Sequence, residues 1–149
     1  MSYGGQVETR PTRKLLVAVR PQDIYLVFEA LGTEFDLVIC HSLTTAKAVL
    51  GENIGLITCG VRFDEGRMLD LLRYVKENPE TQSIPFLCVI GAGKSFSPAV
   101  LEGIKQAVLI LGANGIIDLS ELRRKLGDEQ AYETLRQVIR KVLSRPATE

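Results

Sequence analysis

The run Gly91-Ala92-Gly93-Lys94-Ser95 lies between a predicted strand and a predicted helix, where a phosphate-binding loop belongs. A complete loop of the Walker A type would have its first glycine at Cys88, which instead lies inside the predicted strand. The run is therefore too short at its front to wrap a phosphate chain. We expect at most a weak anion site at its backbone N–H groups, formed by Gly91, Gly93, Lys94 and Ser95.

One histidine and three cysteines are the other candidates for nucleophilic or metal-binding chemistry. His41 has no second ligand near it in sequence and does not assemble a catalytic triad, so we expect no metal, no cofactor and no enzymatic activity. Cys40, Cys59 and Cys88 lie on three predicted strands, where free cysteines are usually small buried apolar side chains. Cys59 is nearest the strand edge and is the one candidate for redox reactivity.

Composition limits the classes of protein further. The chain has 149 residues, which suits one domain of roughly 100–200 residues, and its 18 basic and 18 acidic side chains give no net charge. That balance argues against a general nucleic-acid binder. No apolar run approaches the ~20 residues of a membrane span, and an odd number of cysteines suits a reducing compartment. We therefore expect a cytoplasmic protein that binds neither nucleic acid nor a membrane.

Short apolar runs alternate with segments of helical period along most of the chain. Residues 1–12 and 146–149 are predicted to be tails around one domain at residues 13–145. Runs without polar alternation predict strands that are buried on both faces, as in a parallel sheet. These strands are predicted at residues 15–19, 35–40, 54–59, 86–90 and 116–119. Five strand–helix alternations predict a three-layer α/β/α sandwich around a five-stranded parallel sheet.

Several local landmarks recur in the order and spacing of a known family. They are Asp23-Ile24 after the first strand, Asp64-Glu65-Gly66 after the third, Ile84-Pro85 before the fourth and Gly112-Ala113-Asn114-Gly115 before the fifth. Over residues 14–145 the chain resembles the receiver domains of two-component response regulators. The resemblance implies a flavodoxin-like sheet of order 2-1-3-4-5.

The resemblance also locates the phosphorylation pocket, and this chain lacks its chemistry. The family uses two acidic residues to hold Mg²⁺, an acceptor Asp, a Ser or Thr, and a Lys. The matching positions here are Val19, Arg20, Thr58, Ile90 and Leu119. The sequence therefore predicts an atypical receiver, or pseudo-receiver, that accepts no phosphoryl group in a phosphorelay.

We expect such a chain to act by binding another protein. The fourth predicted helix is apolar around more than one face, and a basic cluster follows the fifth strand. The family uses this region to dimerise or to dock partners. We expect a homodimer, or a complex with a signalling kinase, regulator or output protein, through a surface that includes Val108, Ile110, Asp118, Arg123 and Arg124.

One alternative class stays open at this point. The carboxyl edge of such a sheet is a common ligand site, at the switch point between strands one and three. A sensor of a small ligand, a nucleotide or redox state would use Arg20, Thr58 and Cys59, or the loop at residues 91–95.

Overall fold

Five parallel strands form the central sheet. The computed structural model describes residues 13–51 and 53–145, so the tails predicted at 1–12 and 146–149 lie outside the described residues. The strands are β1 (Lys14–Ala18), β2 (Leu37–Cys40), β3 (Ile54–Gly60), β4 (Phe86–Ile90) and β5 (Gly115–Asp118). Their order across the sheet is β2-β1-β3-β4-β5, which confirms the predicted topology.

Six α-helices connect and flank these strands within the described residues. They are α1 (Ile24–Leu31), α2 (Leu43–Val49), α3 (Met68–Glu77), α4 (Pro98–Ile110), α5 (Leu119–Leu126) and α6 (Asp128–Leu143). Short 3-10 turns at Pro21–Asp23 and Phe63–Glu65 follow β1 and β3. None of the helices in this described part is long and apolar enough to cross a membrane.

The sheet has a hydrophobic core on each face, which gives the predicted three layers. Helices α1 and α6 cover one face, where Val27 and Ile139 pack with Val17 of β1. Helices α2, α3 and α4 cover the other, where Leu72 and Val108 pack with the strand side chains. Successive strand residues point to opposite faces, so runs buried on both faces carry no polar alternation.

Side-chain caps determine where several helices begin. Ser97 Oγ accepts a hydrogen bond from the N–H of Val100 at 3.2 Å, and Pro98 occupies the first helical turn of α4. Ser42 Oγ caps α2 in the same way, accepting from the N–H of Thr45 at 3.1 Å. Both starts follow the preference of Ser for the N-cap, and the start of α4 also follows that of Pro for the first turn.

The segment after β5 differs from the prediction. The fifth strand was expected to include Leu119, but it ends at Asp118, and Leu119 begins α5. Asp118 Oδ1 accepts from the N–H of Glu121 at 3.0 Å, so a side-chain cap ends the strand one residue early. Gly127, with φ of +86°, then separates α5 from α6, a backbone conformation that glycine adopts without steric cost.

Candidate functional site

The strand ends place four of the five positions that the resemblance assigns to the phosphorylation pocket around one cavity. Val19, Thr58, Ile90 and Leu119 all line a space of about 70 Å³ at the carboxyl edge of the sheet. They converge because β1, β3, β4 and β5 are parallel and in register, with Val17 opposite Thr58 and Ile90 opposite Asp118. The tertiary structure therefore brings together residues that lie up to 100 positions apart in the sequence, Val19 and Leu119.

Thr58 occupies the position that the resemblance assigns to an acceptor Asp. Its side chain is buried, and its Oγ1 donates to the carbonyl oxygen of Leu16 at 3.3 Å. That bond uses the one hydroxyl proton, so the hydroxyl is directed at the β1 backbone. Thr58 acts here as a β-branched strand residue whose polar atom is satisfied within the sheet.

Arg20 lies beside the cavity, in a wider cleft that also contains His41 and Asp64. Its Nε and Nη2 donate to the two carboxylate oxygens of Asp23 at 2.8 and 3.0 Å. This side-chain hydrogen bonding raises the pKa of Arg20 above its usual value. The two charges neutralise each other, because the Asp23 carboxylate beside the cavity is held by the Arg20 guanidinium in a bidentate pair.

A second arginine closes the top of the cavity. Arg62, in the loop after β3, reaches across to the loop after β4, where its guanidinium carbon lies 4.3 Å from the centre of the Phe96 ring. Its Nη2 also donates to the carbonyl oxygen of Lys94. Gly93 makes the approach possible: its φ is +105°, and a Cβ there would lie 2.7 Å from Arg62 Nε. We call Arg62 and Phe96 the roof.

The loop between β3 and α3 carries backbone strain. Asp64 and Glu65 have φ of +46° and +56°, values that residues with a Cβ rarely adopt. Asp64 Oδ2 accepts from the N–H of Leu43 at 2.8 Å, which ties this loop to the start of α2. Nearby, the Nδ1–H of His41 donates to the carbonyl oxygen of Val19 at 2.8 Å. These bonds hold the loops around the edge of the sheet in one arrangement.

The candidate anion loop faces acidic side chains. Lys94 and Ser95 line a cleft with Asp118 and Glu121, the latter paired with Arg124. Asp118 caps α5, where it accepts from the N–H of Glu121, and its carboxylate would repel an anion in this cleft. This arrangement disfavours the weak anion site predicted for Gly91, Gly93, Lys94 and Ser95.

The cysteines and the histidine do not form a reactive or metal-binding group. Cys40, Cys59 and Cys88 are all free and buried. Burial, with the neighbouring Cys88, raises the pKa of Cys59 well above its usual value, and burial raises that of Cys88 to about 12. Thiols held protonated and out of solvent are poor nucleophiles, which argues against redox reactivity at Cys59. Among the described residues, no three His, Cys, Asp or Glu side chains cluster as metal ligands would.

The structure places the residues of the predicted interaction surface in different environments. Val108 is fully buried, because it lies on the side of α4 that packs with Ile104 against the core, so it is removed from the surface. Asp118 is a helix cap. Arg123 donates to Asp128 at 2.9 Å and covers the ring of Tyr132, so its role is structural. Ile110 is 82% exposed.

Sequence reasoning missed Arg62 and Phe96, the two side chains of the roof. Both lie in loops, where no periodicity marks them. The available signal was the Gly93-Lys94 pair, since a glycine with positive φ often allows close approach of another group. Without the topology, nothing indicated that the approaching group would come from the loop after β3.

Comparisons with known proteins agree with this architecture. No family model matches the chain, and no curated protein matches it. The phosphorylated cyanobacterial phytochrome response regulator RcpA superposes with a TM-score of 0.67 at 20% identity, over 89% of this chain and 94% of that one. The Mn²⁺-bound response regulator Rcp1 gives 0.64 at 21% identity, over 91% and 99%.

A response regulator from Hahella chejuensis gives a TM-score of 0.66 at 15% identity, covering 92% of this chain and 99% of that one. Likeness at such identities speaks to architecture and not to chemistry. Each of the three comparisons covers at least 89% of this chain. This chain has the fold of the response-regulator receiver domain.

Proposed function

We propose that this chain is a receiver-fold signalling module that accepts no phosphoryl group and acts by contact with another protein in a two-component-type pathway. The observation that carries the proposal is the convergence of Val19, Thr58, Ile90 and Leu119 on one apolar cavity. In the family, the same place holds the acids, hydroxyl and lysine of phosphoryl transfer. The chain has the receiver fold, but the residues at the carboxyl edge of its sheet are not those of phosphoryl transfer.

The chemical argument against phosphorylation rests on charge. A transferred phosphoryl group needs a divalent cation or basic side chains to offset its developing negative charge. Leu119 offers no positive charge, and Arg20 is committed to Asp23. By contrast, the solved receiver of the sensor kinase PA1611 holds a magnesium ion in its active-site cleft. The Thr58 hydroxyl is not a carboxylate and cannot form an acyl phosphate.

The first prediction is that the protein stays unmodified with Mg²⁺ and acetyl phosphate, a small phosphoryl donor. Intact-mass spectrometry should detect no phosphoryl adduct, because the acceptor position holds Thr58 and the one carboxylate on the cavity wall, Asp23, is already paired with Arg20. A phosphorylatable receiver in the same reaction is the positive control. An adduct on the wild-type chain that Thr58→Val abolishes would disprove the proposal.

Protein contact is proposed through exposed side chains of α4 and α5. Helix α4 presents Val100, Leu109 and Ile110 to solvent, each at least half exposed. Arg124 of α5 lies beside Leu101 at the other end of this helix. We call these four exposed side chains the α4 surface. Exposed apolar side chains on one helix, with a basic rim, are typical of an interface.

The second prediction concerns capture of a partner by the tagged full-length chain from its own cells. A stoichiometric two-component signalling protein should be recovered, and Ile110→Glu with Arg124→Glu should abolish its recovery. Arg123 is left intact because it holds Asp128 and Tyr132. Tyr25→Glu is the matched control, since Tyr25 is 57% exposed on α1, across the sheet from α4.

Two results would count against the contact proposal. If the chain is recovered alone and sediments as a monomer, neither a partner nor a second copy binds the α4 surface. Equal loss of the partner in the Tyr25 control would show that the α4 surface is not the specific site.

A further inference from the structure

We propose that the cavity beneath the roof is a binding site for a small, uncharged, apolar molecule. This goes beyond the proposed function, since it assigns a ligand to the space that phosphoryl chemistry would occupy in the family. It requires neither a protein partner nor a phosphoryl donor. The proposal rests on the wall of the cavity, the partners of its polar atoms, its size and its roof.

The wall of the cavity is mostly apolar. Strand residues such as Val17 and Val89 form its floor, Leu26 and Ala30 of α1 form one side, and Leu135 and Ile139 of α6 complete it. Apolar cavities of this kind stay dry, because water inside would find too few hydrogen-bond partners. An apolar guest gains contact with walls that otherwise face empty space.

Two polar side chains on the wall are already bonded. The Thr58 hydroxyl donates to Leu16, and the Asp23 carboxylate accepts both bonds from Arg20. The Arg62 guanidinium lies at the roof, against Phe96 and the Lys94 carbonyl. A charged guest below the roof would exchange its hydration for aliphatic side chains, which is costly in an apolar site. The proposed ligand is therefore uncharged.

The volume limits the size of the ligand. About 70 Å³ is room on the order of five water molecules, counted by the space their centres occupy. That suits a compact molecule of a few heavy atoms. This volume is smaller than that of most pockets for drug-sized ligands, roughly 300–1,000 Å³, so the site is selective for small guests.

We propose that the ligand enters past the two roof residues, Arg62 and Phe96. Arg62 and Phe96 come from the loops after β3 and β4, and one stacking contact with one hydrogen bond holds them together. Entry requires breaking only these two exposed interactions, while the floor stays intact. The same β4 loop leads directly into α4, whose first residue is Pro98. Occupancy of the cavity is thereby connected to the helix that carries the α4 surface.

The test uses the full-length protein, methyl-resolved NMR and two probes of similar shape. Isobutene is uncharged and apolar, and isobutyrate has the same branched carbon frame with a carboxylate. Isobutene should give saturable shifts at the methyl groups of Val17, Leu26 and Ile139, and isobutyrate should give none. The second arm uses Ala30→Leu, which fills the cavity from α1 and should weaken isobutene binding about tenfold or more.

Leu26→Ala keeps the proposal testable if the filled variant folds poorly. It enlarges the cavity, so a larger apolar probe, benzene, should bind this variant more tightly than it binds the wild-type protein. Three results would overturn the proposal: no saturable methyl shift with isobutene, equal shifts with isobutyrate, or an affinity that neither variant changes. None of these depends on partner capture or phosphorylation, so the ligand site and the proposed function fail separately.

Discussion

Single residues decide the chemistry at the carboxyl edge of this sheet. Val19 and Thr58 keep the size and β propensity that a strand end requires, but neither brings the negative charge that holds a divalent cation. Arg20 goes further, since it places a positive charge at the edge and fixes it on Asp23. The fold tolerates these changes because strand packing depends on shape, whereas phosphoryl transfer depends on charge.

The third prediction is made at this scale and compares two glycines. Gly93→Ala should lower the free energy of unfolding by about 1 kcal/mol or more, because φ is +105° and the new Cβ would displace Arg62. Gly103→Ala should raise it by roughly 0.5–1 kcal/mol, since Gly103 lies inside α4 with open space around it. Urea unfolding measures both, and a Gly93→Ala protein as stable as wild type would contradict the account of the roof.

At the scale of elements, α4 is the unusual helix. It has thirteen residues with abundant apolar side chains, yet Val108 alone is fully buried. A helix packed on one side of a sheet usually buries a stripe of apolar positions three and four residues apart. Ile104 and Leu111 lie partly buried against the same core as Val108, and the exposed Val100, Leu109 and Ile110 support the proposed contact through α4.

The fourth prediction separates the buried face of α4 from its exposed face. Val108→Ala should lower the free energy of unfolding by about 2 kcal/mol, since it removes two buried carbons and leaves a cavity. Ile110→Ala should change it by less than about 0.5 kcal/mol, because Ile110 is exposed. Both values come from chemical denaturation, and similar effects at the two positions would contradict the assigned faces.

Over the whole molecule, a network of ion pairs ties α6 to the end of α1. Arg140 pairs with Glu34 and Glu133, and Arg136 pairs with Glu133 and donates to the carbonyl oxygen of Ala30 at 2.7 Å. Hydrogen bonds from Arg140 and then Arg136 lower the pKa of Glu133 to about 2 from 4.5. Hydrogen bonding to Arg140 also lowers the pKa of Glu34.

The fifth prediction follows from the sign of these shifts. A carboxyl whose pKa is lowered by folding stabilises the native state above its unfolded pKa, and this contribution is lost as protons bind. Stability should therefore fall as pH drops from about 4.5 towards 2. Glu133→Gln should remove part of that fall in urea midpoints, and high salt should weaken it, because the pairs are exposed. A pH dependence unchanged in Glu133→Gln would disprove the assignment.

Much of this fold could be predicted from the sequence, because local forces act over a few residues. Uninterrupted apolar runs indicated the five strands, of which β1, β3 and β4 are largely buried and the edge strands β2 and β5 are mostly half-buried. The prediction failed at Leu119, where a cap formed by the preceding Asp118 begins a helix early. It also failed at Val108, since an apolar helix does not reveal which of its faces the sheet covers.

The sequence by itself determined the alternation of strands and helices, the receiver-like order of landmarks and the absence of the expected acids at Val19, Arg20 and Thr58. Only the tertiary structure decided what those replacements form together. The cavity, its satisfied polar atoms and the Arg62–Phe96 roof depend on side chains from separate loops and strands. Their meeting is set by strand register and sheet order, which no local pattern encodes.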